Sequence, residues 1–399
     1  MNVWISALSF LFFGVEMVLA LPVVYLLVLT TAALWHFNRR RPVTPASPTT
    51  HFAILIPAHN EERLLPETLA SLSAQHYPPA QFTAYVVADN CTDQTAEIAR
   101  RAGATVFERF NTQQVGKGHA LNWLREQIAA TGNRVNAYVV VDADTLVAPD
   151  FLRAMDLRLQ NGERIVQGYY AVRDPASSWG AALRFAALAV LHYLRPLGRV
   201  ALGGTAGLKG NGMCFRAEVY ERFPWSGSLT EDIEMHTALV LTGERVTFAP
   251  EAQVQAEMPG TLRDSQTQNE RWERGRWEMA RASVGPLLRQ AFDTRRFAPL
   301  DAATEHLIPP TAILAAVLAF CPLAGAGLAW AGHAGVWWGA VALGVGLAIY
   351  LLVGLWMVRA PGRVWLALLY APFYVAWKIP LLVGVVFSRG AQRWVRTQR

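Results

Sequence analysis

The chain has 399 residues, 53% of them hydrophobic, and a formal net charge of +6. A mean hydropathy of +0.21 excludes an ordinary soluble enzyme, and the normally charged middle excludes a simple bundle of membrane helices. The basic excess lies beside the apolar runs in a positive-inside pattern, and no RNA- or DNA-binding motif accompanies it, so no nucleic-acid partner is expected.

The first run, Trp4 to Trp35, lacks a basic leader and exceeds a signal-peptide core, so residues 1–38 read as a membrane anchor. One long or tilted helix is the simpler form; a tight hairpin is the alternative. "HFNRRRP" follows it and places the next segment in the cytoplasm. Glu16 inside the run is either functional or a residue near the outer interface, and the second reading is simpler.

From residue 50 to 285 strand-like runs alternate with helix-like ones. "HFAILIPAHNEE" is a buried strand entering a polar loop, and "FTAYVVADNCTDQT" repeats that pattern. "ATVFER" is a short strand, "GKGHALNWLREQI" a helix, and "YVVVDADTLVAPDF" a third core strand ending in two acids. The alternation predicts an α/β domain with a mainly parallel sheet, whose ligands bind beyond the carboxyl ends of the strands. Pro57, His59, Asn60, Glu61, Asp89, Asp142 and Asp144 all fall there.

Asp142 and Asp144 suit a hard divalent cation, Mg²⁺ or Mn²⁺, beside a phosphate-bearing substrate; the alternative is a turn cap. Lys117, between glycines at a helix start, suits a diphosphate or is simply an exposed lysine, and His119 reads as a packing or capping residue. "GLKGNGMCFR" is glycine-dense, as backbone near a ligand or an ordinary turn would be. In "GSLTEDIEMHTAL", Thr230, Glu231 and Asp232 open a helix and could cap it. In "QTQNERWERGRWEM", Gln268 and Trp272 share one helix face with Arg271 beside them, a pattern that an amphipathic helix on anionic lipid would also give.

Residues 286–305 read as an interfacial amphipathic segment and 306–388 as membrane helices, followed by a basic tail at 389–399. Two of the C-terminal runs are long enough to span. The third carries Pro372, Lys378 and Pro380 and reads as broken, re-entrant or interfacial, because a full span would put the tail's arginines outside. Cys91, Cys214 and Cys321 lack metal-ligand spacing and read as reduced thiols.

The ordered set "PAHNEE", "ADNCTD", "GKGHALN", "DAD", "GNGMCFR", "TED" and "QNERW" resembles family 2 glycosyltransferases with a GT-A fold, nearest to the membrane-bound cellulose, hyaluronan and exopolysaccharide synthases. The resemblance implies inverting transfer from a nucleotide diphosphate sugar, commonly UDP-linked, to a growing polysaccharide or a lipid-linked saccharide in exopolysaccharide synthesis, at the inner membrane. It implies nucleobase and ribose contacts from Asp89 and the loop from Pro57 through His59 and Asn60 to Glu61, and a place near the nucleotide for Lys117. It implies Asp142 and Asp144 at the metal, with Asp144 the direct ligand, and Asp232 as general base. Gln268, Arg271 and Trp272 would face the diphosphate and acceptor; Asn211, Gly212, Thr230 and Glu231 would border the donor sugar and acceptor. About three spans are few for a polymer channel, so a homo-oligomer or a channel-forming partner is expected if the product is a polysaccharide. A non-processive glycolipid synthase is one alternative, and a non-catalytic nucleotide-sugar-binding scaffold is another.

Overall fold

The apolar, β-branched runs form eight strands: β1 (Phe52–Ala58), β2 (Phe82–Asp89), β3 (Thr105–Arg109), β4 (Ala137–Val140), β5 (Thr145–Val147), β6 (Ile165–Val172), β7 (Met213–Arg216) and β8 (Thr247–Ala256). They belong to a computed structural model that describes residues 3–39, 47–257 and 262–377, with the side chains of the last range described from 273 onward. One sheet holds them in the order β3-β2-β1-β4-β7-β6-β8-β5. β3, β2, β1 and β4 run parallel, as do β6 and β8, while β7 runs antiparallel to both neighbours and β5 antiparallel to β8. The sheet is therefore mixed, with four of its seven pairings parallel, as the expected mainly parallel α/β domain requires. β4 stops at Val140, and the acid pair fills the segment 141–144 before β5 turns to the far edge.

In chain order the helices are α1 (Val3–Asn38), α2 (Leu65–Ser73), α3 (Thr95–Arg101), α4 (Lys117–Ala130), α5 (Phe151–Gln160), α6 (Trp179–Ala189), α7 (Arg195–Ala201), α8 (Ala217–Tyr220), α9 (Glu231–Leu241), α10 (Leu262–Thr294), α11 (Phe297–Leu307), α12 (Thr311–Trp330), α13 (Ala334–Met357) and α14 (Gly362–Ala367). A π-helical turn, Val190–Leu194, joins α6 to α7. Two apolar cores cover the two sheet faces. One packs Leu65, Leu69, Phe151 and Met155 beneath β1 and β4; the other joins Leu121 and Leu124 of α4 to Tyr138 and Phe215.

That second core runs on into the N-terminal helix, whose Leu26, Leu29 and Ala33 are fully buried with it. Backbones touch here: a Cβ on Gly198 of α7 would lie 2.4 Å from the Leu29 carbonyl oxygen. The 36-residue α1 is thus one helix, with no hairpin, and its length has a reason. Its C-terminal third is a piece of the domain core, and its N-terminal part exposes Trp4, Phe10, Leu11 and Leu21.

α1, α12 and α13 are long and apolar enough to cross a membrane. Glu16 is 5% exposed and fills the notch left by Gly339 of α13. The expected boundary at residue 285 falls inside α10, which continues to Thr294 before α11 begins. After α14 the chain makes a 3₁₀ turn, Leu368–Tyr370, and is helical again over 371–377. Lys378, Pro380 and the 389–399 tail lie outside the described residues.

Candidate active site

Four elements deliver polar groups to the carboxyl edge of the parallel strands, where backbone ends and side chains can face a ligand without crossing the core. Pro57, His59, Glu61, Asp89, Asn90, Gly116, Lys117, Asp142 and Asp144 line one cavity of about 210 Å³.

At its outer end Asp89 closes β2 and accepts from Arg109 Nη1 at 2.6 Å; Arg109 also donates to the Gln114 carbonyl at 2.8 Å. Arg109 is 4% exposed, so this ion pair is built into the wall. Burial pushes the Asp89 carboxyl upward and the guanidinium opposes that push. His59 Nδ1 sits 2.7 Å from the Asp89 carbonyl oxygen. Asn60 and Asn90 take left-handed backbone, at φ 55° and 51°, a conformation that asparagine tolerates better than most residues. Asn60 turns its side-chain oxygen away from the cavity, to the Thr92 amide at 2.7 Å, and Thr95 Oγ1 accepts from the Glu61 amide at 2.8 Å. The two loops are pinned to each other before any ligand arrives.

At the inner end Lys117, the first residue of α4, donates to Asp142 Oδ1 and to the Gly210 carbonyl, each at 2.5 Å. Burial disfavours the ammonium, but Asp142, Glu231 and Asp232 outweigh it and hold its pKa above the ordinary lysine value. Asp142 and Asp144 offer hard oxygen donors beside a position that already draws a cation, so the residues fit Mg²⁺ or Mn²⁺. Among the described residues no three His, Cys, Asp or Glu side chains gather, and an ion held by two carboxylates takes its remaining oxygens from substrate and water.

Asn211 lies behind this pair and does not line the cavity. Fully buried, its amide oxygen accepts from the Asp142 N–H at 3.2 Å, and its Nδ2 donates to Thr145 Oγ1 at 2.8 Å. Gly212 is also internal: at φ 64°, a Cβ there would stand 2.8 Å from a Val254 methyl. These two residues shape the acid turn from within. Gly210 (φ 78°) is the surface glycine, 3.4 Å from Asp232 Oδ2 measured from where a Cβ would sit. His119 packs against Gly227, as its packing role predicts.

Glu231 and Asp232 open α9 on the far side of Lys117. Burial pushes Glu231 up to about 7, with the neighbouring Asp232 charge adding to it and Lys117 opposing; burial raises Asp232 as well. The two carboxyls titrate as a pair. With Asp232 as the base, as proposed below, the acid limb of activity is expected to extend toward neutrality, with activity rising with pH as the pair loses its proton. E231Q is expected to move that limb downward by about one unit, because the remaining acid no longer shares its site with a like charge. A limb that stays in place under saturating donor would contradict the pairing.

Gln268, Arg271 and Trp272 lie on α10, their side chains outside the described set. Gly275, one turn beyond Arg271, fixes how that helix meets α9: a Cβ there would stand 2.1 Å from the Thr230 methyl. Thr230 is thus the floor under α10 and not a cavity residue. Gly275→Ala is expected to lower stability by about 1–3 kcal/mol and to reduce turnover. The double variant Gly275→Ala/Thr230→Ser, which deletes the obstructing methyl, should recover most of both. Thermal unfolding and turnover measured on the same samples check this, and failure of the rescue would remove the steric explanation.

The spacing of the motifs gave no role to Arg109, although "ATVFER" places it at a strand's carboxyl end like the other site residues. It also left Asn90 and Lys209 unassigned.

Residues 48–275 match the glycosyltransferase-like family 2. The beta-monoglucosyldiacylglycerol synthase of Nostoc sp. (strain PCC 7120) is 26% identical over 271 residues, covering 65% of this chain and 57% of that protein. The probable glycosyltransferase YdaM of Bacillus subtilis (strain 168) is 27% identical over 235 residues, covering 56% and 54%. The chain spans little more than half the length of these curated relatives. Mannosyltransferase PcManGT from Pyrobaculum calidifontis, solved in complex with GDP-Man and Mn²⁺, superposes with a TM-score of 0.52 at 20% identity over 88% of this chain and 97% of that one, which is a likeness of fold. With the matched segment covering the whole strand-end cavity, the chain belongs to glycosyltransferase-like family 2 and has a GT-A fold.

Proposed function

We propose that the protein transfers a sugar, with inversion, from a nucleotide diphosphate sugar to an acceptor hydroxyl carried by a lipid at the cytoplasmic face of a membrane. The observation that carries this reading is a continuous path of neighbours. Asp232, Glu305, Arg199 and Arg195 all lie within electrostatic reach of Lys209; Arg195 donates to the Tyr350 hydroxyl of α13, and Arg199 meets Asp301, which accepts from the Tyr25 hydroxyl of α1. The proposed base thus lies near a charge network that is anchored on two of the spanning-type helices.

Asp89, with His59 and Glu61 beside it, holds the nucleoside. Asp142 and Asp144 hold a divalent cation, which when bound supplies positive charge for the diphosphate. Lys117 and the first amides of α4 bear on the same leaving group, and the family resemblance assigns Gln268, Arg271 and Trp272 to it as well. Asp232 takes the proton of the attacking hydroxyl, the new bond forms at the anomeric carbon, and the diphosphate leaves from the opposite face with the bonding electrons.

Similarity to a beta-monoglucosyldiacylglycerol synthase favours a glycolipid product. The second reading, a growing exopolysaccharide assembled with a partner or a second copy, is favoured by the TED and Gln-x-x-Arg-Trp motifs.

The test is nucleotide release by the full chain in nanodiscs, across UDP-, GDP- and dTDP-sugars with Mg²⁺, Mn²⁺ or EDTA. One donor is expected to give metal-dependent release that Asp144→Ala lowers about a hundredfold or more. Release indifferent to metal and to Asp144→Ala would reject the cation site. Product length separates the two acceptor readings.

A further inference from the structure

Four arginines are buried among the described residues, and three of them face carboxylates: Arg109 meets Asp89, Arg195 meets Glu305, and Arg199 meets Asp301. Arg184, on α6, is the exception. It is 6% exposed, its Nη1 has no hydrogen-bond partner among the described residues, and the described groups that act on its charge are the phenols of Tyr374 and Tyr170. A buried guanidinium without a counter-ion is costly, and a fold keeps one where an anion arrives from outside.

The surroundings say which kind of anion. Arg184 belongs to a row with His192, Arg195 and Arg199, which recur along one face of the continuous α6–π-turn–α7 rod. The π-helical turn brings the His192 ring over Tyr170, with centroids 5.1 Å apart, and His192 Nδ1 meets the Tyr170 carbonyl oxygen at 3.0 Å. Tyr170 in turn lies within electrostatic reach of Arg184, Asp142 and Asp232. Lys209 completes the enclosure. Its backbone amide is pinned to Gln167 Oε1 at 2.9 Å, and burial with the nearby Arg199 and Arg195 charges, only partly offset by Glu305, brings its ammonium down to about 8. Arg195 and Arg199 are already paired with Glu305 and Asp301, so Arg184 is the cation of this row that meets no carboxylate among the described residues.

Where α6 packs against α14, apolar side chains are exposed. Trp179, Leu366, Leu369, Tyr370 and Phe373 are all exposed, and the rings of Trp179 and Tyr370 lie 6.1 Å apart. Cationic side chains beneath an aromatic and aliphatic rim form the recognition chemistry of an anionic lipid at a bilayer surface.

We propose that Arg184, Lys209 and Tyr170 form a subsite for the phosphodiester of an anionic phospholipid, which enters under the apolar rim and presents a headgroup hydroxyl to Asp232. The inference rests on the reading of Asp232 as base and names the acceptor class for it: a phospholipid with a free hydroxyl, in place of a neutral diacylglycerol. Sugar transfer then joins the hydroxyl oxygen to the anomeric carbon, moves its proton to Asp232 and releases the nucleotide diphosphate; the phosphodiester is held and unchanged.

The test compares four probes on the full chain: phosphatidylglycerol, phosphatidylcholine and diacylglycerol in nanodiscs, and glycerol 3-phosphate in solution. Retained lipid is counted by native mass spectrometry, transfer is followed with the sugar donor, and UDP affinity is measured in parallel. Phosphatidylglycerol should be retained and glycosylated in preference to diacylglycerol. Arg184→Gln and Lys209→Gln should each lower that retention about ten- to a hundredfold with UDP affinity unchanged, and Arg184→Lys should recover part of the loss. Lys209 is partly exposed, so its variant carries the test if Arg184→Gln fails to fold. Equal retention in wild type and variants, or preference for diacylglycerol, would overturn the subsite. Glycerol 3-phosphate binding as tightly as the lipid would overturn its membrane source. Intact UDP binding with any of these failures leaves the transferase reading standing, whereas absent UDP binding counts against that reading instead.

Discussion

Asp232→Asn is expected to lower sugar transfer by about 10²- to 10⁴-fold while leaving donor affinity unchanged. The substitution keeps the size and planarity of the side chain and removes its ability to take a proton. The nucleoside end of the cavity, at Asp89 and Arg109, is separated from it by Lys117 and Asp142. Asp232 Oδ1 also accepts from the Ile233 amide at 2.9 Å, a bond that an asparagine oxygen can keep, so α9 should remain in place. Single-turnover rates with saturating donor, beside calorimetric donor binding, separate chemistry from affinity. A variant with near wild-type rates would move the base to another carboxylate, with Glu231 first in line.

Asp301→Ala is expected to destabilise the fold by about 3–5 kcal/mol, the cost of leaving a buried charge without its partner. Asp301 is 2% exposed. It accepts from Arg199 Nε through both oxygens at 3.0 Å, from the Thr205 amide at 2.8 Å and from the Tyr25 hydroxyl at 3.4 Å. One carboxylate therefore ties α7, α11, α1 and the loop leading to Lys209 and Gly210. Without it Arg199 keeps only Glu305, at 4.0 Å. The double variant Arg199→Met/Asp301→Leu should recover much of the loss, since apolar residues of similar volume can replace a buried ion pair. Unfolding midpoints in one detergent check both arms. A single variant within about 1 kcal/mol of wild type would show that water reaches this pair.

The strands and the cavity they feed were legible because local chemistry decides them. β-branched runs bounded by polar turns fold as buried strands whatever their neighbours, and groups at the carboxyl ends of parallel strands converge by geometry alone. That is why Pro57, His59, Glu61, Asp89, Lys117, Asp142 and Asp144 meet in one cavity. Asn60 and Asn211 sit in the same motifs and face elsewhere, because a side chain's direction depends on the hydrogen bonds offered around it, by Thr92 in one case and by Thr145 in the other.

The sequence by itself determined the α/β core, the apolar helices at either end and the order of the site's acids, each a property of a short window. The tertiary structure alone decided the pairing of charges distant in sequence. Arg109 finds Asp89, Arg199 finds Asp301, and among the described residues Arg184 meets only phenols. It also decided that β5 and β7 run antiparallel and that the last third of α1 is core. The physical reason is that burial and charge pairing are set by which surfaces close over a group, and that closure joins segments with no local signal of one another.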